Sequence, residues 1–228
     1  MTQVGTMKRN LLWGALVVST LLWTGCAFAH AGGDVDPEMA EVFRQCAGVA
    51  EFARMHERSK PVKPDAEDPA LPGLRDELLA MEQADQEVRR GESTDFDVDA
   101  RNLVRLREII AEHGFPTSAL VSTQGVAAAW LLVQHADDVA LQEQILQAIA
   151  PPHPIPQGID GQKIALLTDR VLLRQGKPQR YGSQLRMGEN GLEPSPIEEE
   201  ATVDERRMQM GMMPLADYLC MVQVMSAG

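Results

Sequence analysis

Gln124 to Leu146 reads QGVAAAWLLVQHADDVALQEQIL, the most apolar run of the chain beyond its first 29 residues, with a polar cluster, Gln134-His135-Ala136-Asp137-Asp138, near its middle. A helix that is apolar almost all round belongs inside a protein. Polar side chains within such a helix each cost about 1–3 kcal/mol unless they find partners. The rest of the chain must therefore supply those partners, or the cluster must line a pocket. A bend or break near Asp138 is expected, with helix continuing to Ala150 and stopping at Pro151, Pro152, Pro154 and Pro156, which forbid its continuation.

The flanks read as helices built to cover this one. Upstream, Val98 to His113 places Leu103, Leu106, Ile109 and Ile110 in one stripe and is closed by Gly114. Before it, Leu74 to Arg90 carries Leu78 and Met81 on one side. Its other side holds Glu82, Asp85, Gln86, Arg89 and Arg90, a pattern that reads as a solvated face with i,i+4 support. Downstream, Ile159 to Arg174 is capped by Asp160 and ended by Gly176, and Asp169-Arg170 interrupts its apolar pattern. Gln179 to Met187 and Leu192 to Ile197, joined by Gly188-Glu189-Asn190-Gly191, predict a β-hairpin. Thr202 to Met210 and Pro214 to Met225 predict two last helices. Pro37 to Arg58 predicts a first one, an arm packed on the main body and separated from it by the proline-rich stretch from Ser59 to Gly73. The fold class is mainly α: a single compact helical domain over 74–228 with one small β-hairpin, preceded by a helix and linker over 30–73.

Residues 1–29 read as a cleaved signal peptide. Lys8 and Arg9 form a positive start, Leu11 to Trp23 an apolar run of 13 residues, and Ala27-Phe28-Ala29 a cleavage site. That run is too short to cross a membrane comfortably, so no transmembrane segment is expected after processing. Leu22-Trp23-Thr24-Gly25-Cys26 also resembles a bacterial lipobox, which makes lipid anchoring through Cys26 the alternative to a soluble periplasmic or secreted protein. Trp23 departs from the small or aliphatic residue usual at its place. Removing Lys8 and Arg9 with no acidic residue takes the formal charge from -12 to -14. A balance this acidic argues against nucleic acid and anionic membrane surfaces as partners and is compatible with a basic protein or a cationic ligand. Cys46 and Cys220 remain, and they read either as one disulfide of an oxidising compartment or as two buried thiols.

No nucleophile elbow, phosphate loop or dinucleotide fingerprint occurs in the chain. On a helical wheel Gln134 neighbours Asp137, and His135 neighbours Asp138. A His three residues from an Asp makes a positioned acid/base. The same pair is only half of a metal site, and no third and fourth ligand stand at a recognisable spacing, so no metal is assigned. No cofactor follows from these residues.

From about Leu78 to Tyr218 the chain resembles the DUF6624 family of uncharacterised bacterial proteins. The matching residues are Asp85-Gln86; Asn102; Gly114 and Pro116; Trp130 to Asp137 as WLLVQHAD; Asp169-Arg170; Gly176 to Gln184 as GKPQRYGSQ; Pro196 to Glu199; and Val203-Asp204 with Arg206-Arg207, Gly211 and Pro214. The resemblance implies a helical domain with a shared polar site and implies no activity. Its polar blocks fall on five elements, and they are expected to converge on one pocket walled by the hairpin. His135, Asp137 and Asp169 are the catalytic candidates. Asp85, Gln86, Gln134, Arg170, Tyr181, Gln184, Asp204 and Arg207 are the ligand-binding candidates. The functional expectation is an exported protein that binds a small ligand or a protein through that pocket. The alternatives are a hydrolase or transferase with a His/Asp acid–base site, and a periplasmic inhibitor or immunity-type partner of a basic enzyme. Whether the protein is an enzyme is left open, as is the reading of the same residues as a buried network that sets helix register.

Overall fold

The computed structural model describes residues 37–59, 68–188 and 191–226. The segment read as a signal peptide, Cys26, and Glu189-Asn190 of the hairpin turn lie outside the described residues. The helices are α1 (Pro37–Gln45), α2 (Ala47–Ser59), α3 (Pro72–Arg89), α4 (Val98–His113), α5 (Ser118–His135), α6 (Val139–Ile149), α7 (Gly161–Arg174), α8 (Val203–Gln209) and α9 (Leu215–Ser226). Between α7 and α8 comes an antiparallel hairpin of β1 (Leu185–Gly188) and β2 (Gly191–Pro194), in which Leu185 pairs with Pro194 and Gly188 with Gly191. The protein is mainly α with one small hairpin, as its periodicity predicts.

α5 is the axis of the main core. Val126, Ala128, Ala129, Trp130 and Val133 are all fully buried along it. Leu78 of α3, Leu106 and Ile109 of α4, Leu141 and Ile145 of α6, and Ile164, Leu167 and Val171 of α7 close around it. Phe115 packs edge-on against Trp130, with ring centroids 6.3 Å apart. α3 and α5 run side by side in the same direction, since the N–H groups of Ala70 and Leu71 donate to the carbonyls of Ala119 and Leu120 where the two helices begin. No described helix is long and apolar enough to cross a membrane.

Three elements differ in detail from the expected ones. The first helix is interrupted at Cys46, so α1 and α2 replace one continuous segment. At this interruption Gly48 lies close to Asp217 of α9, and a Cβ there would require the Asp217 carboxylate to shift. Val42, Cys46 and Val49 are covered, whereas Met55 further along α2 is exposed. The central helix begins earlier, at Ser118, and carries an irregular residue, Ser122, at φ 64° and ψ 171°. It ends at His135, and α6 starts afresh after Asp138, whose side chain accepts from Leu141 N at 3.1 Å. Gln142 of α6 reaches back and donates to the carbonyls of Val133, Gln134 and Ala136, which have no helical partner left. The hairpin is shorter than its pattern, because Gln179 to Gln184 forms a loop held by side chains rather than a strand.

A second, smaller core joins the arm to the far end. Val42, Cys46 and Val49 meet Met213 and Met221, with Phe43, Phe52 and Tyr218 at its edge. Cys46 and Cys220 form a disulfide across it, closing a sequence separation of 174 residues.

Candidate functional site

Asp85 sits on the face of α3 that periodicity assigns to solvent, yet it is 1 % exposed. The end of α5 covers it. Its Oδ2 lies 2.7 Å from His135 Nδ1 and accepts from Gln86 Nε2 at 2.8 Å. Its Oδ1 is 3.0 Å from Arg89 Nη2, which also donates to Asp99 at 3.0 Å. Arg89 Nε is 2.9 Å from the same His135 nitrogen. One ring nitrogen cannot accept from Arg89 and donate to Asp85 at once. The charge on Asp85 decides between them. Burial pushes its carboxyl up, but the hydrogen bond and charge of His135, then Arg89 and Gln86, outweigh burial and hold it below the ordinary range. The ionised Asp85 takes the Nδ1–H, and Arg89 is anchored by Asp85 and Asp99. The His135 side chain keeps 16 % of its surface.

α7 brings two more cations to the same end. Arg170 Nη1 donates to the Gln134 carbonyl at 2.7 Å, and Arg174 Nη1 donates to Asp137 Oδ1 at 2.7 Å. Burial, then the charges of Arg174 and Arg89, bring Arg170 down to about 10. Three guanidinium groups therefore act on one another around the end of α5. Asp137 itself is on the surface, its side chain 86 % exposed. The wheel that set Gln134 beside Asp137 and His135 beside Asp138 does not apply, because α5 stops at His135. Asp138 caps α6 and pairs with Arg107. The carboxylate bonded to His135 comes instead from α3, 50 residues earlier in the chain.

The other predicted residues form a second group. Asp169 is fully buried and accepts from the N–H groups of Arg180, Tyr181 and Ser183 at 2.7, 3.0 and 2.9 Å. Burial raises its carboxyl above the ordinary value, against the pull of those bonds. Gln179, also fully buried, accepts from Gln184 N and donates to the Gln184 and Ser195 carbonyls. Arg207 donates to the Tyr181 and Met213 carbonyls at 2.6 Å each, and its guanidinium lies 5.1 Å from the Tyr218 ring centroid. Tyr218 donates to the Ser183 carbonyl at 3.0 Å, Gln184 donates to the Leu166 carbonyl at 3.4 Å, and Asp204 accepts from Leu215 N at 2.7 Å. These side chains hold backbone: they pin the loop from 179 to 184 onto α7 and α8. The five polar blocks thus divide into two hydrogen-bonded groups joined through α7, where Asp169 serves one and its neighbour Arg170 the other.

Arg89, Asp99, Glu82, Lys163 and Arg174 belong near the first group and were not singled out as site residues by sequence. Arg89 and Glu82 share the i, i+3, i+4, i+7 stripe of α3 with Asp85 and Gln86, and that stripe was the available signal. Asp99, Lys163 and Arg174 carry none, being single charges near helix ends. Among the described residues no group of three or more His, Cys, Asp or Glu side chains could hold a metal ion. The arrangement can orient an imidazole through a buried carboxylate and present positive charge beside it.

Neither the comparison with curated proteins nor that with solved structures gives a match. Residues 72–226 match a family model described as a family of unknown function, DUF6624. The match takes in α3 to α9 and leaves out the arm formed by α1 and α2. The chain belongs to the DUF6624 family.

Proposed function

We propose that the chain binds a small ligand with an anionic group at the His135 end of α5. The observation that carries this reading is the buried Asp85 fixed on His135 Nδ1 at 2.7 Å with Arg89, Arg170 and Arg174 gathered around it. Cations brought together against burial favour an anion that relieves their mutual repulsion. The His135 ring, which keeps 16 % of its surface, then lies beside the bound anion and reports on it. The test follows the His135 ring signals by NMR as inorganic phosphate and acetate are added. Saturable shifts are expected, weakened in Arg174→Gln, whose only described ion pair is with the exposed Asp137. Ring signals that do not move with either anion overturn the reading.

The Asp85–His135 bond also favours a second reading, a hydrolase or transferase in which His135 is the acid/base and Asp85 orients it. A bell-shaped or sigmoidal pH–rate profile lost in His135→Gln supports it. Export belongs to the same proposal, supported by the Cys46–Cys220 disulfide, whose chemistry is that of an oxidising compartment.

A further inference from the structure

The arm formed by α1 and α2 lies outside the matched residues 72–226, yet it is fastened to an element inside them. Val42, Cys46 and Val49 bury their side chains against Met213 and Met221, and the Cys46–Cys220 disulfide crosses that small core. Gly48, in the first turn of α2, lies against the Asp217 carboxylate. The arm therefore grips α9 at Asp217 and at Cys220, and Tyr218 stands between these two points.

Tyr218 joins the arm to the loop from 179 to 184. Its ring packs at the edge of the arm's core, and the Arg207 guanidinium lies 5.1 Å from the ring centroid. Its hydroxyl donates to the Ser183 carbonyl at 3.0 Å, and Arg207 donates to the Tyr181 carbonyl at 2.6 Å. The N–H groups of the same two loop residues are held by Asp169 of α7. The loop is thus clamped from two sides. One side, Asp169, is rooted in the main core. The other, Tyr218 with Arg207, rests against the arm. Burial pushes the Tyr218 hydroxyl up to about 12, so it is a neutral donor at neutral pH.

We infer that the arm is a redox-sensitive strap: the Cys46–Cys220 disulfide holds it on α9, and its release loosens the loop from 179 to 184 through Tyr218. The reductant is a dithiol. One of its thiolates attacks Cys220 Sγ, the half-buried sulfur of the pair, since Cys46 is only 3 % exposed. A mixed disulfide forms, and Cys46 leaves as a thiolate that takes a proton. The second thiol of the reductant then displaces Cys220, which leaves as a thiol. Two electrons and two protons pass to the protein, and the dithiol closes into its own disulfide. The arm is then held by a small apolar core alone. Where it parts from α9, the Tyr218 ring loses cover, and water competes for the Ser183 carbonyl. The loop keeps Asp169 but opens from it more often. This inference does not depend on the anion-binding reading.

The experiment measures amide hydrogen exchange on the purified protein, oxidised and after reduction with dithiothreitol. Cys46→Ser with Cys220→Ser serves as the permanently open form, and Tyr218→Phe is measured with the disulfide intact. Reduction and the double serine variant are expected to open α1 and α2. Both are also expected to speed exchange at Tyr181 and Ser183 by at least about ten-fold, the factor of one lost hydrogen bond. Ala129 and Val133, buried in α5, are expected to keep their protection. Tyr218→Phe is expected to reproduce the loop effect while the arm stays protected, and reducing that variant is expected to change the loop no further. Recovery of protection on reoxidation checks that the fold is kept. Three results overturn the inference: an arm that opens on reduction with Tyr181 and Ser183 unchanged, an arm that stays protected when reduced, or exchange that rises equally at Ala129 and Val133.

Discussion

At the scale of single residues, Asp85 shows what burial does to a side chain that looks solvated. Its carboxylate holds His135, Arg89 and Gln86 at once, so Asp85→Ala leaves a buried ring nitrogen and a guanidinium with fewer partners. A loss of about 2–4 kcal/mol is expected from urea midpoints. The pH dependence has a definite sign. The folded-state pKa of Asp85 is lowered, so its contribution is fully present above the unfolded value near about 3.9 and is lost as pH falls below it. Native minus Asp85→Asn stability is therefore expected to be larger at pH 6 than at pH 3. Asp169 acts in the opposite sense, since burial raises its carboxyl and ionisation costs it stability as pH rises past that raised value. The subtraction isolates Asp85 because Asp169 is common to both proteins. Asp169→Ala strips three backbone N–H groups of their acceptor and is expected to cost about 3 kcal/mol or more. Loosening of the loop from 179 to 184, seen as faster amide exchange at Tyr181 and Ser183, is the accompanying readout.

At the scale of elements, α5 carries most of the main core and one backbone irregularity. Ser122 adopts a positive φ that favours glycine, and among the described residues its side chain compensates through one long contact, 3.5 Å, from Gly125 N. Ser122→Gly is expected to stabilise the protein by about 0.5–1 kcal/mol, measured as a raised thermal midpoint. An unchanged or lowered midpoint means that the buried hydroxyl is worth more than the strain. The break after His135 is the more consequential feature. It turns α6 back so that Gln142 closes the last carbonyls of α5, and it frees His135 to meet α3 rather than its own helix. The helical order was legible because apolar stripes recur at 3.6-residue spacing over most segments. The break was legible only as a place, since two adjacent aspartates mark a cap but do not say where the chain turns next.

At the scale of the whole molecule, the arm is fastened to α9 by a small core and one disulfide. Reduction, or replacement of both cysteines by serine, is expected to lower stability by at most about 4–5 kcal/mol on the chain-entropy account. The loss should be greatest for α1, α2 and α9, and amide exchange resolved by segment checks this. The formal charge of -12 adds a self-repulsion spread over the surface. A rise in thermal midpoint between low and physiological salt is expected, because the Debye length shrinks to about 8 Å.

Apolar periodicity, glycine and proline punctuation and the placing of Asp160 determined the class of the fold and the sites of most helices, because those signals act over a few neighbouring residues. The same reading marked Gln134, His135, Asp169 and Arg170 as polar groups inside apolar helices, which must find partners wherever the chain goes. Only the tertiary structure decided who the partners are. His135 bonds Asp85 across 50 residues of chain, not the aspartates beside it, and Asp169 and Arg207 hold backbone of the 179–184 loop and its surroundings. Partner choice over such separations depends on which helix faces are pressed together, and that is settled by burial of the whole apolar surface rather than by any short stretch of it.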